Sequence, residues 1–181
     1  MKWLDYWLQS QRTRRVAPYV EQGARLLDIA CADSALFRFL GGRVASGVGI
    51  DLDPVPASTS TVTYVRGSFP RDMPRGDPFD VAAALAVVEH IPGPDQGAFA
   101  AGCAAQLRSG GRLVVTVPSS RVDDILRALK AVRILDGMRE EQHYGFDPRQ
   151  AIALFVGAGL ELERHSRFEL GLNHLLVFRK P

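Results

Sequence analysis

The chain has few cysteines, no long apolar run and no marked excess of charge of either sign, and each shortage removes a class of protein. Cys31 and Cys103 stand far apart, without metal-ligand spacing or a disulfide framework, so a reducing cytoplasm is the expected location. The longest charge-free stretches, Pro54 to Val65 and Gln96 to Leu107, fall short of the roughly 18 apolar residues a membrane span needs. An acid at Asp5 argues against reading the opening MKWLDYWLQS as a secretion signal. With 22 basic and 20 acidic side chains the net charge is only +2, so no basic stripe is implied and no nucleic-acid partner is expected. What remains, 181 residues that are 46% hydrophobic and 23% charged, is the composition of one ordinary globular domain, 1–181. Its 17 glycines and 11 prolines predict frequent turns, yet no glycine falls between Asp28 and Ser34.

Residues 1–22 read as an N-terminal helical cap: Trp3 and Trp7, and Leu4 and Leu8, recur at i, i+4 before a basic end at Arg12, Arg14 and Arg15. Trp and Arg also suit a membrane interface, which leaves a weak membrane-surface contact through this helix open. Beyond it, short apolar runs alternate with helical patterns. Strands are expected over Arg25 to Ile29, Val44 to Leu52, Thr61 to Arg66, Phe79 to Ala86 and Arg112 to Val117. Helices are expected over Ser34 to Leu40, Pro94 to Leu107, Arg121 to Leu135 and Asp147 to Val156, the last with an Asp cap and Pro148 at its first position. Two β-rich segments, Leu160 to Phe168 and Leu172 to Arg179, flank a turn at Glu169 to Gly171. The order predicts an α/β fold: a Rossmann-like doubly wound sheet of about seven strands, mostly parallel, with one antiparallel strand in a terminal hairpin.

In such sheets ligands bind at the carboxyl ends of the strands, where strand order reverses. The first strand ends in Asp28 and runs into Ile29, Ala30, Cys31, Ala32, Asp33 and Ser34. The second ends in Asp51, an acceptor-only group suited to the two hydroxyls of a ribose.

The ordered segments LLDIACADS, GIDLDP, FDVAAALAVVEHIP and LRSGGRLVVTVP resemble the class I S-adenosylmethionine-dependent methyltransferases, especially the small-molecule enzymes related to quinone biosynthesis. The resemblance covers Arg25 to Pro118 and continues through Gly145 to Lys180. It implies S-adenosyl-L-methionine as cofactor, with Asp28, Ala30, Cys31 and Ala32 facing its methionine part, Asp51 on its ribose and Leu52 on its adenine. It also implies Ser68 and Phe69 at the adenine edge, and backbone carbonyls of Leu85 and Ala86 toward the amino group. Leu52 and Phe69 could equally be plain core. The family usually carries glycine where this chain has Ala30, Ala32 and Ser34, and an acid where it has Ser68. An alanine forced to positive φ costs on the order of 1 kcal/mol.

Methyl transfer needs alignment and, for a protonated acceptor, a base. The family places a substrate-covering insertion at 119–146; its His143 is the first candidate base, and His90, in the Glu89 and His90 pair, the second. No metal is required. The implied activity is methyl transfer to a small-molecule, lipid-like or glycan-precursor acceptor. The alternative is a non-catalytic module of the same fold acting through protein contacts; a nicotinamide oxidoreductase fits less well, because G-x-G-x-x-G is absent.

Overall fold

The computed structural model describes residues 3–119 and 147–181, with side chains from Trp7 onward. The helix expected over Arg121 to Leu135, His143, and all of the 119–146 insertion but Ser119 lie outside the described residues. Seven strands form one sheet: β1 (Ala24–Ile29), β2 (Val44–Asp51), β3 (Val62–Arg66), β4 (Phe79–Leu85), β5 (Leu107–Pro118), β6 (Glu161–Phe168) and β7 (Asn173–Arg179). Their spatial order is β3-β2-β1-β4-β5-β7-β6. The first five pair in parallel, and β7 runs antiparallel to both of its neighbours, as the terminal hairpin predicts. Chain order reverses between β1 and β4, which opens a crevice at their carboxyl ends.

Side-chain alternation divides the core between the two faces of the sheet. Leu26, Val81, Ala83, Val114, Leu175 and Val177 pack with Val16 of helix α1 (Trp3–Val16) and with Leu36, Phe37 and Leu40 of α2 (Ala35–Leu40). On the opposite face Leu27, Ile29, Ala82, Ala84, Leu113, Val115, Leu176 and Phe178 meet Phe99 and Cys103 of α3 (Gly93–Gln106) and Phe155 of α4 (Pro148–Gly157). Because the middles of β1, β4 and β5 are covered on both sides, they read in sequence as short, near-continuous apolar runs. Asp147 caps α4 as expected, its side chain accepting from the Arg149 amide.

Most boundaries fall within a residue of expectation, and three departures have a visible cause. β5 begins at Leu107 rather than Arg112, because Leu107 pairs with Phe79 before a register shift takes up the extra residues and left-handed Gly110 donates to the Lys180 carbonyl. β4 stops at Leu85, since Ala86 turns to φ +57°. α2 starts after Ser34, which is left-handed at φ +66°.

Candidate functional site

The acids and small residues singled out in the sequence gather at the carboxyl edge of β1, β2 and β4. Asp28 lies opposite Gly49 on β2 and Ala83 on β4 and is 4% exposed. Burial, reinforced by the charges of Asp51 and then Asp33, pushes its pKa up to about 8, so it is mostly protonated at neutral pH in the free protein.

After β1 the loop takes a left-handed backbone at alternate positions: Ala30 at φ +59°, Ala32 at +44° and Ser34 at +66°. All three are positions where the resemblance expects a glycine. The left-handed backbone forms here without the residue that adopts it most easily, and hydrogen bonds hold it. The Ala30 amide donates to the Ile50 carbonyl at 2.8 Å, the Ala32 amide to Asp51 Oδ2 at 2.8 Å, and the Ser34 amide to the Cys31 carbonyl at 2.7 Å. Asp51 Oδ1 accepts from the Asp53 amide at 2.9 Å. A carboxylate offers about four lone-pair sites, so roughly two remain for a diol.

Cys31 is buried, with its sulfur against Gly49, and desolvation followed by the Asp28 and Asp51 charges pushes its thiol up to about 12. It can line the loop only through its backbone. Leu52 is 71% exposed and so is not core. Phe69 instead packs edge-on to Phe99 with ring centroids 5.4 Å apart, against the core on the α3 side. The Ser68 amide donates to Asp72, a carboxylate drawn down to about 2 by Arg71 and by that same amide. Leu85 ends β4, and the amide of Ala86 after it is held at 3.0 Å by both the carbonyl and the hydroxyl of Thr116. Glu89 is buried and His90 exposed in the turn that follows.

Sequence reasoning missed two groups here. Gln9 on α1 donates to Asp33 at 2.9 Å, so the N-terminal helix reaches across the loop. Burial opposes the charge on Asp33, but the bonds from Arg38 and Gln9 outweigh it and lower its pKa. The second is Tyr64 on β3, hydrogen-bonded to the Ser34 hydroxyl. Neither follows from spacing, because both are long-range contacts to a loop whose shape is not visible in the sequence.

With this geometry in view, residues 4–165 match the family described as methyltransferase domain. The chain belongs to the class I methyltransferase family, whose cofactor is S-adenosylmethionine. It is 27% identical over 155 residues to the ubiquinone biosynthesis O-methyltransferase of Xylella fastidiosa (strain 9a5c), covering 78% of this chain and 62% of that protein. With the corresponding protein of Bradyrhizobium sp. (strain ORS 278) it shares 34% identity over 105 residues, 52% of this chain and 40% of the relative. The chain thus spans less than two thirds of the length of these relatives. Among solved structures, the 1,6-didemethyltoxoflavin-N1-methyltransferase of Burkholderia thailandensis superposes with TM-score 0.73 at 18% identity, covering 98% of this chain and 80% of that one. The N-methyltransferase NodS of Bradyrhizobium japonicum gives 0.70 at 13% identity, covering 96% and 97%. These superpositions carry the fold. Among the described residues no helix of this methyltransferase-family chain is long and apolar enough to cross a membrane.

Proposed function

We propose that the chain is an S-adenosylmethionine-dependent methyltransferase acting on a small-molecule acceptor, lipid-like and glycan-precursor molecules included. The observation that carries this reading is the loop 30–34, left-handed at alternate residues and tied at its centre to Asp51. Backbone strain of this kind gathers at ligand sites, where surrounding bonds hold it in place.

The residues fit the cofactor. Asp51 has acceptor capacity left for ribose hydroxyls, and exposed Leu52 offers an apolar face to a purine. Asp28 responds to charge: a cationic group bound nearby draws off its proton and converts a neutral carboxyl into a counter-ion. When bound, the cofactor supplies an electrophilic methyl group whose bond to sulfur breaks as the acceptor's lone pair attacks. Removing a proton from a hydroxyl acceptor falls to an imidazole, His90 at the end of the turn after β4 or His143 outside the described residues. The relatives from ubiquinone biosynthesis, O-methyltransferases by name, favour oxygen as the accepting atom. The 46% exposure of Trp7 leaves α1 an apolar contact for a membrane surface.

The alternative, a non-catalytic module, draws support from the two amides already bound by Asp51. Calorimetry with S-adenosylhomocysteine separates the two. Measurable binding that weakens by about tenfold or more in Asp51→Ala supports the enzyme, in line with a lost charged hydrogen bond. No heat at millimolar ligand overturns it in favour of the module.

A further inference from the structure

Ser34 stands at the N-cap of α2 but does not cap it. A serine there ordinarily accepts a hydrogen bond from an amide of the first turn. Here the left-handed backbone at φ +66° turns the 4% exposed residue inward, and its hydroxyl bonds that of Tyr64. Tyr64 is itself fixed, with its amide bonded to Ser58 Oγ at 2.9 Å and its ring edge-on to Phe37 at 5.9 Å.

The strand beneath makes room for this arrangement. A Cβ on Gly49 would lie 2.8 Å from the Tyr64 ring and 2.9 Å from Cys31 Sγ. One on Gly47 would lie 2.5 Å from the Phe37 ring. Glycine is thus absent from the loop and present in β2 below it, where its missing side chain admits the rings that brace the loop.

We propose that the Ser34–Tyr64 hydroxyl pair is a latch holding the glycine-free loop in its cofactor-receiving shape, which makes Tyr64 a positioning residue for cofactor affinity. The latch rests on the cofactor reading above. It acts on the loop backbone, where the amides of Ala30, Ala32 and Ser34 are all bonded and report directly on its closure.

A double-mutant cycle of Tyr64→Phe and Ser34→Ala tests it, read by titration with S-adenosylhomocysteine and by native-state hydrogen exchange at those three amides without ligand. Tyr64→Phe keeps the ring on Phe37 and removes only the hydroxyl. Each single variant is expected to lower affinity roughly five- to tenfold, the scale of one hydrogen bond, and to speed exchange at Ala32 and Ser34. The double variant should be no worse than either single one. Ser34→Gly, which adopts positive φ without strain, should restore most of the affinity in the Tyr64→Phe background. Additive losses, or loop exchange unchanged in both single variants, overturn the latch. If the wild type takes up no ligand while exchange still accelerates in the variants, the cofactor reading falls and takes Tyr64's role in affinity with it, while the bracing of the loop by the hydroxyl pair stands.

Discussion

At the amino-terminal edge of the sheet, the described residues with a left-handed backbone are Gly23, Gly41, Gly110 and Gly159. At the carboxyl edge they are Ala30, Ala32, Ser34, Ala86, Glu169 and Leu170, with Gly171 the one glycine. The two edges face the same problem of reversing the chain and solve it differently. Turns that only connect elements use the residue that adopts positive φ without penalty. Turns at the carboxyl edge keep side chains there, and the loop after β1 relies on tertiary bonds, such as Ala32 to Asp51 and Ser34 to Tyr64. A cavity of about 650 Å³, lined by Arg75, Arg108 and Lys180 among others, lies instead at the amino edge. Strain and desolvated charge, not size of cavity, mark the candidate site.

The acids sharpen the contrast most. Asp80, at the amino edge, accepts from the Arg25 amide at 2.7 Å and from Arg108 Nε at 2.5 Å, and these partners outweigh its desolvation and hold its pKa low. Asp28 is displaced the other way, from 3.8 to about 8. Between those values the folded chain binds a proton that the unfolded chain has lost, so stability falls by up to about 1.4 kcal/mol per pH unit as pH rises from about 4 to about 8. Asp28→Asn should therefore raise Tm by roughly 10–20 °C at pH 7.5 and by almost nothing at pH 4, while weakening S-adenosylhomocysteine binding. Asp80→Asn should do the opposite: a loss of about 1 kcal/mol at neutral pH that fades as pH falls below the carboxylate range, with ligand affinity unchanged. Thermal melts of both variants across pH decide the matter, and melts that move in the same direction would remove the distinction between the edges.

The features legible in the sequence are those fixed by local pattern. The apolar runs of β1 and β4, the small residues before α2, and Asp147 with Pro148 at the start of α4 each satisfy a short-range rule, so their elements sit within a residue of where they are expected. Asp28 and Asp51 were legible as strand-end acids, and the structure brings them to one edge. The loop's left-handed backbone could be anticipated only through the family's glycines. The direction of Phe69, packed on Phe99, and the reach of Tyr64 under the loop depend on which strands become neighbours. The early start of β5 was hidden because Arg108, Ser109, Gly110 and Gly111 carry no apolar side chain to extend the run, although Gly110 bonds across to Lys180 within the sheet.

A smaller effect comes from exchanging the two solutions. Gly41 at φ +53° has nothing within 4 Å of the place an added Cβ would occupy, so Gly41→Ala isolates the backbone penalty and should cost about 1 kcal/mol. Ala32→Gly at φ +44° removes that penalty and should stabilise by a similar or smaller amount, since glycine also frees the unfolded chain. Urea midpoints at constant slope measure both. Equal destabilisation by the two changes would mean that the loop's left-handed residues carry no strain, and the contrast between the edges would lose its energetic content.

The smallest effect concerns a pair of rings on β6 and β7. His165 Nε2 and His174 Nδ1 are 2.7 Å apart, and His174 is 6% exposed. Burial, then His165 and Arg167, lower the pKa of His174, while Asp147 pulls the other way. A base depressed in the folded state is neutral there while its unfolded counterpart charges, so its contribution to stability is lost as pH falls below about 6.5. Between about pH 6.5 and 5 the wild type should lose stability that His174→Gln does not lose, a difference that urea midpoints at the two pH values would show. The carboxyl edge then carries two opposed titrations, Asp28 eased by acid and His174 strained by it. A double variant, Asp28→Asn with His174→Gln, should have a flatter stability profile from about pH 5 to 8 than either single change, because each removes the slope the other leaves.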